Sequence, residues 1–558
     1  MKSPVDFGKL VPMRLFVECT VLCIALVLCP LVGGATQTRE AVVAVKAPGA
    51  AGLSYQTDVV LTNLGFGDAS CTLTLLDPAN SAAAPVTVPE DEGILVIEDV
   101  YDFLAPGATG SGGLLVECVT AVGVTSRTFA RDTFENADVV GQSIHGFGLN
   151  EQLTSVNPKR ILGVSQNSNF RTNLTFINTD SIDVTVTTTR EANGATANTL
   201  VGAASLVQVN SALQSLFGVS DSANETLRFT VAAGGPVLAM GTLVNNASGD
   251  FATLAAIPAD GAAGPLVLPA FKETNLVTDL DLYNPSASIE AVTLAFSSGA
   301  SDTVDLAPGP ASIADVLATL SVTSGTGALE ITSTNPILAQ GRHLSSGPNL
   351  FLAALPAQVD TTPSFVQRLG AYSDVNSATT IVSSRSTAEG FMTMAPSSSP
   401  QPMPAAVRSY SVGASEAALA DWMVASSGGG SVTEFTTDNS TNVVSFLISA
   451  RNQHDITVAP FHVSEVPRPF IQQEGYSCTP GTAVFTALPD WPSLTWEWFA
   501  DGANTGLTTR SIDASPGISY HVRVTDPFFV NPGRSRAATV TPPLFCGDFE
   551  SGDLMGWD

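Results

Sequence analysis

The sequence predicts an all-β protein built as a tandem array of antiparallel β-sandwich domains. A segment that begins with Thr, continues with Asp or Asn and alternating apolar residues, and closes with Asn recurs at residues 57–63, 172–178 and 278–284. Its closing asparagines are 178 − 63 = 115 and 284 − 178 = 106 residues apart, about one domain each. Charged residues are only 13% of the chain, and the abundance of Thr, Ser, Val, Ala and Gly favours strands and tight turns over helices.

The recurring segment has the period of a half-buried strand. Because side chains on a strand alternate faces, we expect Leu174 and Phe176 to point into a core, and Asn173 and Thr175 to point the other way. The closing Asn should begin a turn, where its short amide can bond its own backbone. The polar positions have a second interpretation, a ligand site repeated in each unit, but a structural role is favoured.

The N-terminus has the organisation of a secretory signal peptide, which we assign to residues 1–35. A region with Lys2, Lys9 and Arg14 precedes an apolar run at 21–32 that is too short to span a bilayer, and small residues follow it. An uncleaved anchor is the alternative. No later apolar run has the length of a membrane span. We therefore expect a secreted, extracellular or cell-surface protein, and the net charge of −28 argues against nucleic acid as a partner.

The rest of the chain divides into repeated units. We expect β-sandwich repeats at residues 36–150, 151–262 and 263–360, and a degenerate β-domain at residues 361–466 that keeps part of the recurring segment at 379–385. Each of the first three repeats should contain one short helix, at residues 97–104, 210–217 and 313–320. Short joints that contain proline, such as residues 258–265, predict an elongated array.

Four cysteines remain after signal cleavage, and four cysteines allow three pairings. Cys71 aligns with Val186 of the second repeat and Cys118 with Val231, both at inward positions. We therefore predict a Cys71–Cys118 disulfide inside the first repeat. Position in the chain favours two local pairs, and the second predicted pair is Cys478–Cys546 near the C-terminus.

Residues 467–545 have a different character. A Cys-x-x-Gly start at 478–481, a Trp strand at 494–499, an Asp-Gly turn at 501–502 and a Tyr-x-Val-x-Val strand at 520–524 resemble the immunoglobulin-like modules of bacterial surface proteins. The resemblance implies a spacer or binding module. The first three repeats resemble a β-domain of secreted bacterial proteins with a Thr-Asp-Leu-x-Leu-x-Asn-Pro signature, best matched by residues 278–285, which implies no activity. Residues 546–558 resemble the Phe-Glu-Ser-Gly-Asp tail of bacterial exported proteins.

The sequence contains none of the common catalytic motifs. Neither His-Glu-x-x-His nor Gly-x-Ser-x-Gly occurs, and there is no Walker loop or dinucleotide fingerprint. We therefore predict no enzyme, no catalytic residue, no cofactor and no metal. Trp491, Trp496 and Trp498 could form a sugar-stacking platform, although a core role is favoured. Acidic runs at 90–92 and 548–553 could bind Ca²⁺, although solvated charge is favoured.

Three functions are consistent with these observations. The first is a secreted or cell-surface structural or adhesive protein, with surface glycans or extracellular proteins as partners. The second is an array of carbohydrate-binding modules, which requires an exposed aromatic patch. The third is a hydrolase with an unrecognised site, which requires His, Asp and Ser, or pairs of Glu, to converge in a cleft.

Overall fold

The computed structural model describes residues 38–48, 53–65, 67–90, 93–132, 137–148, 151–247, 249–262, 264–273 and 276–345. Beyond them it describes the backbone of the strands between residues 352 and 463, and then residues 470–477, 482–488, 494–525, 533–534 and 538–540. The expected signal peptide, the Cys478–Cys546 pair, Trp491, the acidic run at 548–553, residues 91–92 of the other acidic run and the C-terminal tail lie outside the described residues.

Unit 1 is a two-layer sandwich. Its elements are β1 (Thr38–Pro48), β2 (Leu53–Asn63), β3 (Ala69–Leu76), β4 (Ala82–Val88), β5 (Ile94–Ile97), α1 (Val100–Leu104), β6 (Gly110–Cys118), β7 (Val122–Asp132), β8 (Ala137–His145) and β9 (Phe147–Gly148). The order β4-β3-β6-β1-β9 forms the first layer and β5-β2-β7-β8 forms the second layer. The layers are continuous only where β1 pairs with β2 near the hairpin that joins them.

Units 2 and 3 repeat this strand order element by element. Unit 2 contains β10 (Lys159–Gln166), β11 (Phe170–Asn178), β12 (Val184–Arg190), β13 (Ala195–Val201), β14 (Ser205–Val209), α2 (Ala212–Phe217), β15 (Ser222–Ala233), β16 (Leu238–Asn245), β17 (Phe251–Ala255) and β18 (Ile257–Pro258). Unit 3 contains β19 (Leu266–Glu273), β20 (Leu276–Asn284), β21 (Glu290–Phe296), β22 (Ser301–Leu306), β23 (Gly309–Ile313), α3 (Val316–Thr319), β24 (Gly325–Ser333), β25 (Leu338–Ser345), β26 (Leu352–Pro356) and β27 (Gln358–Val359). The three short helices lie where the sequence predicts them.

The predicted degenerate β-domain, unit 4, has the same two layers. Its strands are β28 (Val366–Tyr372), β29 (Ser377–Ser384), β30 (Ala388–Pro396), β31 (Ala406–Val412), β32 (Glu416–Trp422), β33 (Gly430–Thr437), β34 (Val443–Ala450), β35 (Ile456–Pro460) and β36 (His462–Val463). The orders β31-β30-β33-β28-β36 and β32-β29-β34-β35 reproduce the first and second layers of unit 1. Residues 379–384 of the recurring-segment remnant lie on β29, the counterpart of β2.

The terminal module is a smaller pair of sheets. Its strands are β37 (Phe470–Ser477), β38 (Thr482–Leu488), β39 (Thr495–Ala500), β40 (Ala503–Asn504), β41 (Ser511–Ala514), β42 (Ser519–Thr525), β43 (Gly533–Arg534) and β44 (Ala538–Thr539). One sheet has the order β37-β38-β41, and the other has β40-β39-β42-β43 with β44 on β42. Trp496 and Trp498 belong to the hydrophobic core of this module, which confirms the core interpretation for both.

The predicted strand phase is confirmed in unit 2. Leu174 and Phe176 are fully buried, and they belong to a core formed by both layers. Asn173 and Thr175 point the other way and are nonetheless 8% and 5% exposed. They are buried because the outer face of the second layer of unit 2 is covered by unit 1.

The Cys71–Cys118 disulfide is present and links β3 to β6. The two cysteines are opposite each other in the strand register, as Val186 and Val231 are in unit 2. Both cysteines are buried in the core of unit 1. The disulfide therefore replaces an inward valine pair, as the alignment of the repeats predicts.

The four units contact one another in a closed cycle. The counterparts of β8 touch in sequence, with β8 against β17, β17 against β26, β26 against β35, and β35 against β8 again. A second cycle of contacts joins the first layer of each unit to the second layer of the next, through β6 with β14, β15 with β23, β24 with β32, and β33 with β5. The expectation of an elongated array is therefore wrong for these units, because unit 4 contacts unit 1.

Within the part of the chain that the structure describes, no helix is long and apolar enough to cross a membrane.

Candidate functional site

The first residue of each recurring segment has a structural role. The hydroxyls of Thr57, Thr172 and Thr278 accept hydrogen bonds from the backbone N–H groups of the neighbouring strand, at 3.1, 2.9 and 2.8 Å. All three threonines are fully buried. Each therefore satisfies a backbone donor at the corner where the two layers join.

The second residue holds the short helix in place. The side-chain oxygens of Asp58, Asn173 and Asp279 accept from the backbone N–H groups of the residues that begin the helices, at 2.8, 3.0 and 2.9 Å. Those helix-starting residues, Asp99, Ser211 and Asp315, have φ angles of 42°, 48° and 42°. This left-handed conformation is unfavourable for residues other than glycine, so the side-chain acceptor stabilises the helix start.

The closing asparagines organise the turns that follow. The amide groups of Asn63, Asn178 and Asn284 donate to two or more carbonyls, and their side-chain oxygens accept from the backbone N–H two residues later. All three are buried. The favoured structural interpretation of the recurring segment is confirmed, because each of its three polar positions bonds backbone groups.

The interface between units 1 and 2 has an apolar half. Ile177, Leu238 and Met240 of unit 2 pack against the first layer of unit 1 in one cluster, whose unit 1 members are Ala41, Leu76, Leu115 and Phe147. Gly113 on β6 is necessary for this approach, because a Cβ there would overlap the Ile177 side chain. This half of the interface fixes the two units together.

The other half of the same interface opens into a cavity, which we call the inter-unit cleft. Its volume is about 440 Å³, within the range of small-molecule sites. Unit 1 contributes Val43, Val45, Tyr55, Thr128, Gln142 and Ile144, and unit 2 contributes Arg171, Asn173, Thr175, Gln208, Asn210, Met240, Thr242, Val244, Gly249, Phe251 and Thr253. Val43 and Val45 of β1, and Asn173 and Thr175 of β11, lie on outer faces of sandwich layers, since the residues between them belong to the cores.

Polar groups of the cleft are held by the protein. Gln142 accepts a hydrogen bond across the interface from the backbone N–H of Thr253. The Gln208 amide donates to Asn210 Oδ1 at 2.7 Å. Asn173 uses its oxygen on the helix start, and its amide N–H groups make no hydrogen bond within the described part of the chain. The cleft thus offers amide donors and acceptors in fixed positions.

Two aromatic rings and one cation complete the lining. Tyr55 and Phe251 are half-buried and come from opposite units. Arg171 Nη1 donates to Asn246 Oδ1 at 2.6 Å, and Asn246 is itself anchored to the carbonyls of Asn167 and Ser168. Arg171 is the single charged residue among the described residues that line the cleft.

The equivalent surface between units 2 and 3 is filled. Arg342 Nε lies 2.6 Å from Asp281 Oδ2, and its Nη2 donates to Asp281 Oδ1 at 3.1 Å. Both side chains are almost completely buried, and this burial raises the pKa of Asp281 although Arg342 opposes the shift. The pair packs against unit 2 at Gly163, where an added Cβ would lie 2.5 Å from Asp281 Oδ2.

Other contacts extend the filled interface. Tyr283 packs with Leu162 and Leu338, and its ring lies 4.4 Å below the guanidinium of Arg160. Its hydroxyl donates to Glu191 at 3.2 Å. Asp281 and Arg342 of unit 3 stand at the register positions of Thr175 and Thr242, which line the cleft, and are larger than these threonines.

The strand register identifies the positions responsible. Asp58 is opposite Arg127 in unit 1, and Asp279 is opposite Arg342 in unit 3, whereas the same pair in unit 2 is Asn173 and Thr242. A second position follows the same trend, since Thr175 of unit 2 corresponds to Asp281 of unit 3. Unit 2 has short neutral side chains where units 1 and 3 have an acid–base pair, and these side chains line the cleft.

Sequence reasoning missed this site. The signal was available in the repeats, because Asn173 differs from Asp58 and Asp279 within the recurring segment. Thr242 carried no signal by itself, since its partner position is recognisable only from the strand pairing. Among the described residues, no group of three or more His, Cys, Asp or Glu side chains is arranged to hold a metal ion.

Comparison of the chain with protein-family models and with curated proteins found no match.

Proposed function

We propose that this protein is an exported, non-catalytic binding protein whose sandwich units form a rigid scaffold around a small-molecule site. The inter-unit cleft is the observation that supports this proposal. It lies between units whose relative position is fixed by the apolar cluster beside it. The site needs no covalent chemistry from the protein, since its side chains are donors, acceptors and rings.

The lining favours a polar ligand with apolar faces, and a saccharide has this chemistry. Half-buried Tyr55 and Phe251 offer apolar and aromatic surfaces, while Gln208, Asn210 and the free amide of Asn173 offer hydrogen bonds to hydroxyls. Pockets for small molecules combine such surfaces with a few fixed polar groups. This favours the carbohydrate-binding alternative over a purely structural role.

Export and surface location belong to the same proposal. The charged, apolar and small-residue regions of residues 1–35 support cleavage and secretion, and the disulfide in unit 1 suits an oxidising compartment. The resemblance of the terminal module to immunoglobulin-like modules of bacterial surface proteins supports display at a cell surface. In this arrangement the terminal module serves as a spacer between the scaffold and its attachment.

A glycan array probed with the purified, exported protein tests the proposal. We expect a defined set of saccharides to bind. The double variant Gln208→Ala with Asn210→Ala should weaken that binding at least fivefold, because it removes the exposed amide pair of the cleft. The matched control, Thr187→Ala with Asn198→Ala, removes an exposed hydroxyl–amide pair on β12 and β13 and should bind as the unmodified protein does.

Two results would contradict the proposal. The array could give no binding above background, or both double variants could bind equally well. Circular dichroism spectra of all three proteins establish that any loss of binding is not a loss of folding.

A further inference from the structure

We infer that the ligand of the inter-unit cleft is an acidic saccharide, a sugar that carries a carboxylate or a sulfate near Arg171. This inference rests on the proposed function, and it specifies the class of ligand. Its basis is a local reversal of charge in unit 2.

The reversal is visible at two neighbouring positions of one strand. Arg171 in unit 2 corresponds to Gln56 in unit 1 and to Val277 in unit 3 in the alignment of the recurring segment. Two residues later, Asn173 replaces the carboxylates of Asp58 and Asp279. Unit 2 thus gains a positive charge and loses a negative charge on the face that lines the cleft.

This local gain of positive charge is unusual in a protein that is acidic overall. The chain has 51 acidic and 23 basic residues, and several basic side chains form ion pairs, for example Arg190 with Glu225 and Lys272 with Asp315. Arg171 forms no ion pair with any carboxylate in the described ranges; its side chain is bound to the neutral Asn246. The nearby Asp250 is buried and does not line the cleft.

The geometry of Arg171 suits an anion. One guanidinium nitrogen is fixed by Asn246, which limits the motion of the side chain and leaves other N–H groups free. A guanidinium binds carboxylate or sulfate oxygens with two parallel hydrogen bonds. Because the anion would be held beside Tyr55, Phe251 and the amides, the same molecule can contact both parts of the site.

Isothermal titration with matched oligosaccharides tests this inference. The probes are a neutral hexose disaccharide, a hexuronic acid disaccharide and a sulfated disaccharide of the same linkage. We expect the unmodified protein to bind at least one acidic probe tenfold or more tightly than the neutral probe. Arg171→Gln should remove that preference, so that the acidic probe binds no more tightly than the neutral probe.

Arg39→Gln is the matched control, because it makes the same charge change at an exposed ion pair with Glu117, outside the cleft. It should keep the preference, and Arg171→Lys should keep part of it because the charge remains. The uronic acid and sulfated probes distinguish which anion is recognised.

Equal affinity for neutral and acidic probes would overturn the inference but leave the proposed function intact. So would an unchanged preference in Arg171→Gln. Equal or tighter binding of an acidic peptide such as a glutamate oligomer would overturn the assignment to a saccharide. Absence of binding to all probes and to the glycan array would overturn the proposed function itself.

Discussion

Unit 2 contacts unit 1 through its second layer and unit 3 through its first layer, and the two contacts differ in how completely side chains fill them. The contact with unit 3 is packed with the Asp281–Arg342 pair and Tyr283. The contact with unit 1 combines an apolar cluster with a cavity of about 440 Å³. The backbone arrangement is shared, so the difference comes from a few side chains on outer strand faces.

This difference shows how a repeated scaffold can acquire one specific site. The inward residues of each unit preserve the sandwich, and the recurring Thr, Asp or Asn, and Asn residues preserve its corners and turns. The outward residues are free to diverge. Unit 2 has Asn173 and Thr242 where units 1 and 3 have an acid–base pair, and its interface with unit 1 contains the cleft although the fold is the same.

The largest expected difference concerns the size of the exported protein in solution, which separates a closed cycle of units from an extended row. If all four interfaces form together, small-angle scattering of the exported protein should give a radius of gyration near the single-domain scaling value of about 24 Å, raised slightly by the terminal module. An extended row of five domains would exceed roughly 40 Å, given about 13 Å for each domain of its size. A value in the second range would contradict the cycle of contacts.

The filled interface can be broken at its ion pair. Arg342→Leu should destabilise unit 3 by about 3–5 kcal/mol, because it leaves the Asp281 carboxylate buried without its partner. The double variant Asp281→Thr with Arg342→Thr, which copies unit 2, should cost less than the single variant. Hydrogen exchange of the amides of β20 and β25 measures both, since it reports local stability in a multidomain chain. A double variant that is less stable than Arg342→Leu would contradict the account.

The disulfide of unit 1 occupies the core position that a valine pair occupies in unit 2, so the stabilities of the two arrangements can be compared. Cys71→Val with Cys118→Val copies the Val186–Val231 pair of unit 2 and should destabilise unit 1 by up to about 4 kcal/mol, the chain-entropy value for a separation of 47 residues. Hydrogen exchange of β3 and β6 amides measures the effect, and unit 2 of the same molecule, which is unmodified, serves as the internal control. Unchanged protection in unit 1 would mean that the disulfide does not stabilise it.

Much of the fold could be predicted from the sequence. The alternation around Leu174 and Phe176, the three short helices and the alignment of Cys71 with Val186 are local or pairwise signals, and the structure confirms them. The cycle of units could not be predicted, because it depends on outer-face residues such as Ile177 that the pattern does not distinguish from exposed ones. The cleft depends on Thr242, whose relation to Asn173 exists only through strand pairing.

A pH-dependent difference separates unit 3 from unit 2. His343 is 1% exposed, its Nδ1 is 3.0 Å from Thr278 Oγ1, and its ring packs edge-on to Phe271. Burial lowers the pKa of His343 from 6.5 to about 3. The unfolded chain therefore takes up a proton that the folded unit excludes, so stability is complete above pH 6.5 and falls as the pH drops toward 3.

The size of the stability loss follows from the difference between the pKa values of His343 in the folded and the unfolded chain. Between pH 7 and pH 4 this histidine should cost unit 3 about 3 kcal/mol. His343→Leu, which copies Leu243 at the equivalent position of unit 2, should remove that part of the acid sensitivity. Hydrogen exchange of β25 amides at several pH values measures it. The same acid sensitivity in the variant and the unmodified protein would exclude His343 as its cause.

The most direct test of the central claim is to close the cleft with the residues that other repeats use. Asn173→Asp with Thr242→Arg gives unit 2 the pair found as Asp58–Arg127 and Asp279–Arg342, and the introduced carboxylate can still accept the hydrogen bond from the Ser211 N–H. The matched control, Thr293→Asp with Thr303→Arg, places the same pair at an exposed register position of unit 3. Affinity for a saccharide identified on the array is then measured by titration calorimetry. We expect at least a tenfold loss of affinity for the cleft variant and an unchanged affinity for the control. A cleft variant that folds and binds the saccharide normally would show that the open cleft is not the binding site.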